Sequence, residues 1–278
     1  MDRFRPPRAR STANQGGQLQ GEFAGDSYDE CVDEQPSLTE QRVLLVPGTL
    51  MSAKSYDAVR AHADLRADGL DADGVEWMLD VPHCDIPRAA DCVAERIRSG
   101  TGPAILVGHS TGGTIAAVTA LNHPELVSGL VLINSGPNMI GHGAVDQILQ
   151  TLRESPTDEV WERFALKNVA PGAPRRWIDD MIEFSRRAGA ATAASILRSQ
   201  AQLDLLASGQ SSDLVVEVLH GRLDEKRTPA DAEEWEHVFP KAAVTVIDDC
   251  GHSPHLEAPS QVVAAVRRVV GTLQRTGV

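Results

Sequence analysis

The 278-residue chain has 42% hydrophobic residues and 23 glycines, enough for one substantial core with an excursion but not for two independent enzyme domains. A formal net charge of -13 gives a surface that repels a phosphate backbone, so nucleic acid is excluded as an expected partner. No apolar run is long enough for a secretory signal or a membrane span, which sets the expectation of a cytoplasmic protein without a membrane partner.

Residues 1–40 are poor in apolar side chains, basic at Arg3, Arg5, Arg8 and Arg10 and then acidic from Glu22 to Glu40. Such composition does not offset the entropy of ordering, so a disordered tail is expected, with Gln18–Phe23 as a strand candidate. Order begins at Arg42. Val43–Val46 is an apolar run closed by Pro47-Gly48, the pattern of a strand buried on both faces. Helical periodicity from Ser55 to Ala67 precedes a second expected strand, Val75–Val81, closed by Pro82. Pro87–Arg98 reads as a helix with Ala90, Val93, Ala94 and Ile97 on one face.

Ala104–Val107 is the clearest strand, and Thr114–Leu121 continues as a helix beyond Gly112-Gly113; Leu126–Ile133 holds the next strand. Parallel neighbours need crossover connections, so strands separated by helices imply an α/β fold whose mostly parallel sheet carries helices on both faces. From 135 to 209 the patterns are only helical (Val145–Leu152, Glu159–Leu166, Arg175–Arg187 and Thr192–Leu206), which reads as an inserted helical cap. Strands resume at Val215–Leu219 and Val244–Ile247 with a helix Pro229–Val238 between them, and Ser260–Leu273 forms the last helix. The expected organisation is a tail over 1–40, a core over 41–134 and 210–278, and a cap over 135–209.

Cys31, Cys84, Cys92 and Cys250 have neither paired ligand spacing nor the density of a disulfide framework, so free thiols are expected. His83, Cys84 and Asp85 with Cys92 read as packing residues rather than a metal site, and neither metal nor cofactor is expected.

Gly108-His109-Ser110-Thr111-Gly112 fits the G-x-S-x-G pattern and lies between an expected buried strand and a helix. A sharp turn there exposes the serine hydroxyl at the carboxyl edge of the sheet, above a helix N-terminus. Serine at its own pKa is a poor nucleophile and needs an adjacent base. His252, in Cys250-Gly251-His252-Ser253-Pro254 after the last strand, reaches the same edge; His109, beside the serine, is expected to pack or cap. Asp224 follows the strand Val215–Leu219 in His220-Gly221-Arg222-Leu223-Asp224 and is the expected carboxylate, with Asp248 and Asp249 as fallbacks. The alternative acid position after Ile133 holds Asn134, which carries no charge.

With these residues in place the chain resembles the α/β-hydrolase superfamily from about Arg42 to its end. Pro47-Gly48-Thr49, the elbow at Ser110, Gly221-Arg222-Leu223-Asp224, Gly251-His252 and Glu257-Ala258-Pro259 carry the resemblance. Two departures are the Pro47-Gly48 pair where many members have His-Gly, and the missing pair of leading antiparallel strands. The resemblance implies an oxyanion hole from the backbone N–H groups of Thr49 and Thr111, or of Leu50 if the turn is shifted.

The expected reaction is hydrolysis of a carboxylic ester, lactone or thioester through an acyl-enzyme on Ser110, with His252 as base and Asp224 as its orienter. An ordinary histidine implies activity rising across about pH 6 to 8 unless the site shifts it. The apolar faces of the cap point to a small-molecule substrate with a hydrophobic part. Leu50, Met139 and His142 are the candidate substrate contacts. Two other readings stay open: a lyase, acyltransferase or perhydrolase with the same three residues, and a ligand-binding protein of the same fold without turnover.

Overall fold

The computed structural model describes residues 41–277 except 141, 143, 144 and 155. The expected tail, the strand candidate Gln18–Phe23 and Cys31 lie outside the described residues.

The apolar run after Arg42 forms β1, Arg42–Val46. Val43 and Leu45 face one core while Leu44 and Val46 face the other, so the run lacks alternation because both faces are covered. The helix expected over Ser55–Ala67 is instead three short pieces: a 3-10 turn at Ala53–Tyr56, α1 at Asp57–Arg60 and α2 at Ala63–Ala67. His62 makes the break, because its backbone is extended (ψ 134°) and its ring nitrogen accepts the Asp64 N–H as a cap.

The second strand is not Val75–Val81. It is β2, Asp71–Gly74, and Trp77–Asp80 forms the short helix α3. β2 is an edge strand paired with β1, so it needs no apolar run. Val75, Trp77 and Met78 are apolar because they plug the core, and the Trp77 indole N–H donates to Pro47 O at 2.9 Å.

The chain continues through α4 (Ile86–Arg98), β3 (Ala104–His109), α5 (Thr111–Asn122) and β4 (Val127–Ile133). Four helices follow: α6 (Val145–Arg153), α7 (Asp158–Leu166), α8 (Arg175–Ala188) and α9 (Ala190–Gln202). The ends of this excursion are tied together, Asn138 bridging Asp204 and the Leu205 N–H donating to Pro137 O at 3.0 Å. The chain then returns through β5 (Val215–Gly221), α10 (Pro229–Glu233) with a 3-10 turn at Glu234–His237, β6 (Ala243–Ile247), α11 (Pro254–Glu257) and α12 (Pro259–Thr276).

The six strands among the described residues are all parallel, in the order β2-β1-β3-β4-β5-β6. α12 and the residues around α1 and α2 cover one face, whereas α4, α5 and the α6–α9 segment belong to the core on the other. The strand order reverses between β1 and β3. In open parallel sheets the crevice at that reversal, beyond the strand carboxyl ends, is where ligands bind. Thr49 follows β1 there and Ser110 follows β3.

Candidate active site

Ser110 occupies the turn between β3 and α5 with φ 51° and ψ −121°, a conformation that costs a residue with a Cβ about 1–3 kcal/mol. The fold holds it there. The Ser110 N–H donates to Ile133 O at 2.8 Å, and a Cβ on Gly108 would lie 2.4 Å from Gly112 O. On the opposite side a Cβ on Gly48 would come within 2.8 Å of His109 Nδ1 and 3.2 Å of Ser110 Cβ. Glycine at 48 therefore lets the turn after β1 close onto the serine.

His252 follows β6 and Asp224 follows β5, so both stand at the carboxyl edge that carries Ser110. His252 Nδ1 lies 2.7 Å from Asp224 Oδ2, with both side chains almost wholly buried. A carboxylate only accepts, so Nδ1 carries the proton and Nε2 presents a lone pair. Nε2 has no hydrogen-bond partner among the described residues, Ser110 included. The ring of His109, next to Ser110, is 4.9 Å from that of His252 centre to centre, and its Nε2–H donates to His252 O at 2.8 Å. His109 is thus packed and bonded to backbone, with Tyr56 and His255 continuing the stack of rings behind it.

Burial, followed by the nearby charge of Lys226, brings His252 down to about 4, so the imidazole is neutral at neutral pH. For Asp224, burial is the largest single influence and pushes upward. It is outweighed by the charge and hydrogen bond of His252, by Asn134 and by the Lys226 N–H, which together hold the carboxyl well below its ordinary range. The fallback acids are unsuited to orienting His252, because Asp248 is exposed and paired with Arg222 at 2.6 Å, and Asp249 is exposed.

Several partners were invisible in the pattern of the chain. Asn134, in the left-handed region at φ 44°, occupies the alternative acid position after β4. Its Nδ2–H donates to Asp224 Oδ2 at 2.7 Å and to Gly251 O at 3.3 Å, while its Oδ1 accepts the Gly221 N–H at 3.1 Å. One amide therefore ties the acid loop to the histidine loop. Glu257 accepts the N–H groups on either side of His252, from Gly251 at 2.8 Å and from Ser253 at 3.2 Å. Position 134 was visible only as an uncharged residue at an acid position, and Glu257 only as part of a motif.

Thr49 and Thr111 approach each other across the sheet edge, their hydroxyl oxygens 2.9 Å apart. Neither backbone N–H has an acceptor among the described residues. Leu50 differs from expectation: its N–H is directed at Met78 Sδ, 3.1 Å away, and its side chain is buried in the core, which removes it both as the shifted oxyanion donor and as a substrate contact. Met139 and His142 are half-buried at the start of the helical segment, where the His142 N–H donates to Met139 O at 3.1 Å. Burial and then Arg227 and Lys226 push His142 below its ordinary value. Neither residue lines the cleft of about 310 Å³ between α8 and the turn after β1, whose walls include Met51, Lys54, Arg176, Trp177, Met181 and Leu256. No helix among the described residues is long and apolar enough to cross a membrane.

A parallel sheet with a strained serine after β3 and a buried His–Asp pair after the last two strands defines a class, the α/β hydrolases. A sequence model of the alpha/beta hydrolase family matches residues 43–266, and the chain belongs to that family. It is 28% identical over 237 residues to a pimeloyl-[acyl-carrier protein] methyl ester esterase of Nitrosomonas europaea, covering 80% of this chain and 92% of that one. Among solved structures it resembles an esterase of Exiguobacterium antarcticum, with a TM-score of 0.74 at 19% identity over 83% of this chain and 92% of that one. A thermophilic esterase of Thermogutta terrifontis has a TM-score of 0.68 at 20% identity, over 84% and 90% of the respective chains. These two likenesses bear on the fold alone.

Proposed function

We propose that the protein is a serine hydrolase that cleaves a carboxylic ester, lactone or thioester through an acyl-enzyme on Ser110. The observation that carries this reading is the buried 2.7 Å bond between His252 Nδ1 and Asp224, which leaves an unprotonated Nε2 at the sheet edge of the strained serine. In the first half-reaction Ser110 Oγ attacks the carbonyl carbon as His252 Nε2 takes the hydroxyl proton. The imidazolium so formed is stabilised by Asp224, and the oxyanion accepts hydrogen bonds from the Thr49 and Thr111 N–H groups. Collapse breaks the bond to the leaving group, which takes its proton from His252. Water then attacks the acyl-serine with His252 again as base, and its collapse returns the proton to Ser110.

Neutral imidazole is the form this sequence of steps needs, and the lowering of His252 to about 4 keeps the base free throughout the neutral range. The expected rise across pH 6 to 8 therefore moves to more acid values. α6–α9 act in this reading as a cap on the hydrolase core. Similarity to a methyl ester esterase supports an ester over other acyl compounds.

A panel of short-chain esters, lactones and thioesters, including methyl esters, tests the reading beside Ser110→Ala and His252→Ala. Each variant is expected to lose several orders of magnitude in kcat, with the double variant little worse because the groups act as a unit. Full activity in Ser110→Ala refutes the reading.

A further inference from the structure

Gln200 is a glutamine buried near the end of α9, a place where helix packing is ordinarily served by an apolar side chain. A buried amide is costly unless its donors and acceptors are matched. Its partners are specific. Gln200 Oε1 accepts from Thr111 Oγ1 at 2.8 Å, and Gln200 Nε2–H donates to Thr114 Oγ1 at 3.0 Å. Thr111 and Thr114 lie three residues apart on the first turn of α5, so one amide staples that turn from the far side of the helical segment.

The chain of bonds runs further in both directions. Thr49 Oγ1–H donates to Thr111 Oγ1 at 2.9 Å, and Thr114 Oγ1 lies 3.4 Å from Ser135 Oγ. A threonine hydroxyl has one proton. Because Thr111 gives its proton to Gln200, its lone pair faces Thr49, and the order of donors from Thr49 to Thr111 to Gln200 to Thr114 is fixed by the orientation of the glutamine amide. Ser199, the preceding residue, accepts the Ile86 N–H at 2.9 Å and anchors the same end of α9 to the start of α4.

We propose that Gln200 is a positioning residue for the oxyanion hole, setting the spacing of the Thr49 and Thr111 N–H donors through their hydroxyls and so making full catalysis depend on the docked helical segment. This rests on the serine hydrolase reading above. Donors serve an oxyanion only when they lie about 2.7–3.1 Å from where its charge develops, and these two residues come from separate elements, 62 positions apart. Gln200 acts on the substrate only through the threonines. Its removal therefore weakens binding of the tetrahedral state far more than that of the ground state.

The test compares the full chain with Gln200→Met, Thr111→Val, Thr111→Ser and the Gln200→Met/Thr111→Val double variant. kcat and KM are measured on p-nitrophenyl butyrate, and inhibition by an alkyl trifluoromethyl ketone, which forms a tetrahedral adduct on serine, is measured alongside. Gln200→Met is expected to lower kcat by about 10- to 100-fold with KM changed by less than about threefold, and to weaken the ketone by the same factor as kcat/KM. Thr111→Val behaves likewise, the double variant is little worse than either, and Thr111→Ser, which keeps the hydroxyl, recovers part of the loss in kcat and ketone affinity seen in Thr111→Val. An unchanged kcat and ketone affinity in Gln200→Met overturns the proposal, as does a loss confined to KM. If Gln200→Met fails to fold by circular dichroism, equal rates for Thr111→Ser and Thr111→Val overturn it. A Ser110→Ala protein as active as the parent overturns the serine reading and this proposal with it, whereas the other adverse results overturn only this proposal.

Discussion

Replacing Asn134 by alanine removes the joint between the acid and histidine loops while leaving Asp224 and His252 themselves in place. Three bonds go: one of 2.7 Å to a buried carboxylate, one of 3.3 Å to Gly251 O and one of 3.1 Å from the Gly221 N–H. A hydrogen bond to a charged group contributes about 1.5–3 kcal/mol and a stranded buried N–H costs about 1–3 kcal/mol, so a total loss of about 2.5–6 kcal/mol is expected, with water filling the gap at the lower end. Asp224 keeps the Lys226 N–H at 2.8 Å and its bond to His252, so it remains ionised at neutral pH. The imidazole is less firmly held, and kcat is expected to fall by about tenfold, against about 10⁴-fold for Asp224→Asn, where the tautomer itself is lost. Urea unfolding and initial rates on a p-nitrophenyl ester measure the two effects. Stability unchanged within about 0.5 kcal/mol, as for an ordinary surface substitution, would refute the joint. Activity spared in Asp224→Asn but abolished in Asn134→Ala would place the acid function elsewhere.

Three further outcomes follow from the same geometry. The acid limb of kcat/KM for a neutral ester, followed by pH-stat, should have its midpoint near 4 rather than near 6.5; Lys226→Met should move it upward, because the lysine charge opposes protonation of His252, and a downward move contradicts the assignment. His109, His252 and His255 are all held below their ordinary value, first by burial, with His252 at about 4 and His255 at about 3. Between about pH 6.5 and 4 the unfolded chain therefore binds more protons than the folded one, stability falls as pH falls, and each histidine adds up to about 1.4 kcal/mol per pH unit to the slope. His255→Phe should make urea midpoints less steep across that window, and an unaltered slope would show that His255 is protonated in the folded state. Glu257→Ala leaves the N–H groups of Gly251 and Ser253 without their acceptor, so kcat should drop by about tenfold with a lowered Tm, while Glu257→Gln, which keeps one carbonyl oxygen, should recover part of both.

The inner strands were legible because each is built on an apolar run, Val43–Val46 in β1, Ala104–Val107 in β3, Leu130–Ile133 in β4 and Val215–Leu219 in β5, the last broken only by Glu217. β2 was not, since an edge strand of Asp71, Ala72, Asp73 and Gly74 has no apolar signal, and the neighbouring run of Val75 to Val81 drew the assignment away. The loops bearing Ser110, Asp224 and His252 could be read because each follows a clear strand and chemistry restricts the residue type. The supporting amides could not. Asn134 and Gln200 acquire their meaning from partners 90 and 89 positions away, and no local spacing distinguishes such residues from other buried polar side chains. Leu50 was misplaced for a related reason: its N–H is taken up by a methionine sulfur, a partner 28 residues distant that no turn pattern foretells.

The measurement closest to the central claim is the site of covalent modification by a fluorophosphonate. Digestion and mass spectrometry of the labelled protein should find one adduct, on the peptide containing Ser110, formed slowly or not at all in His252→Ala. A folded protein that stays unlabelled, or an adduct on a different residue, would contradict the account.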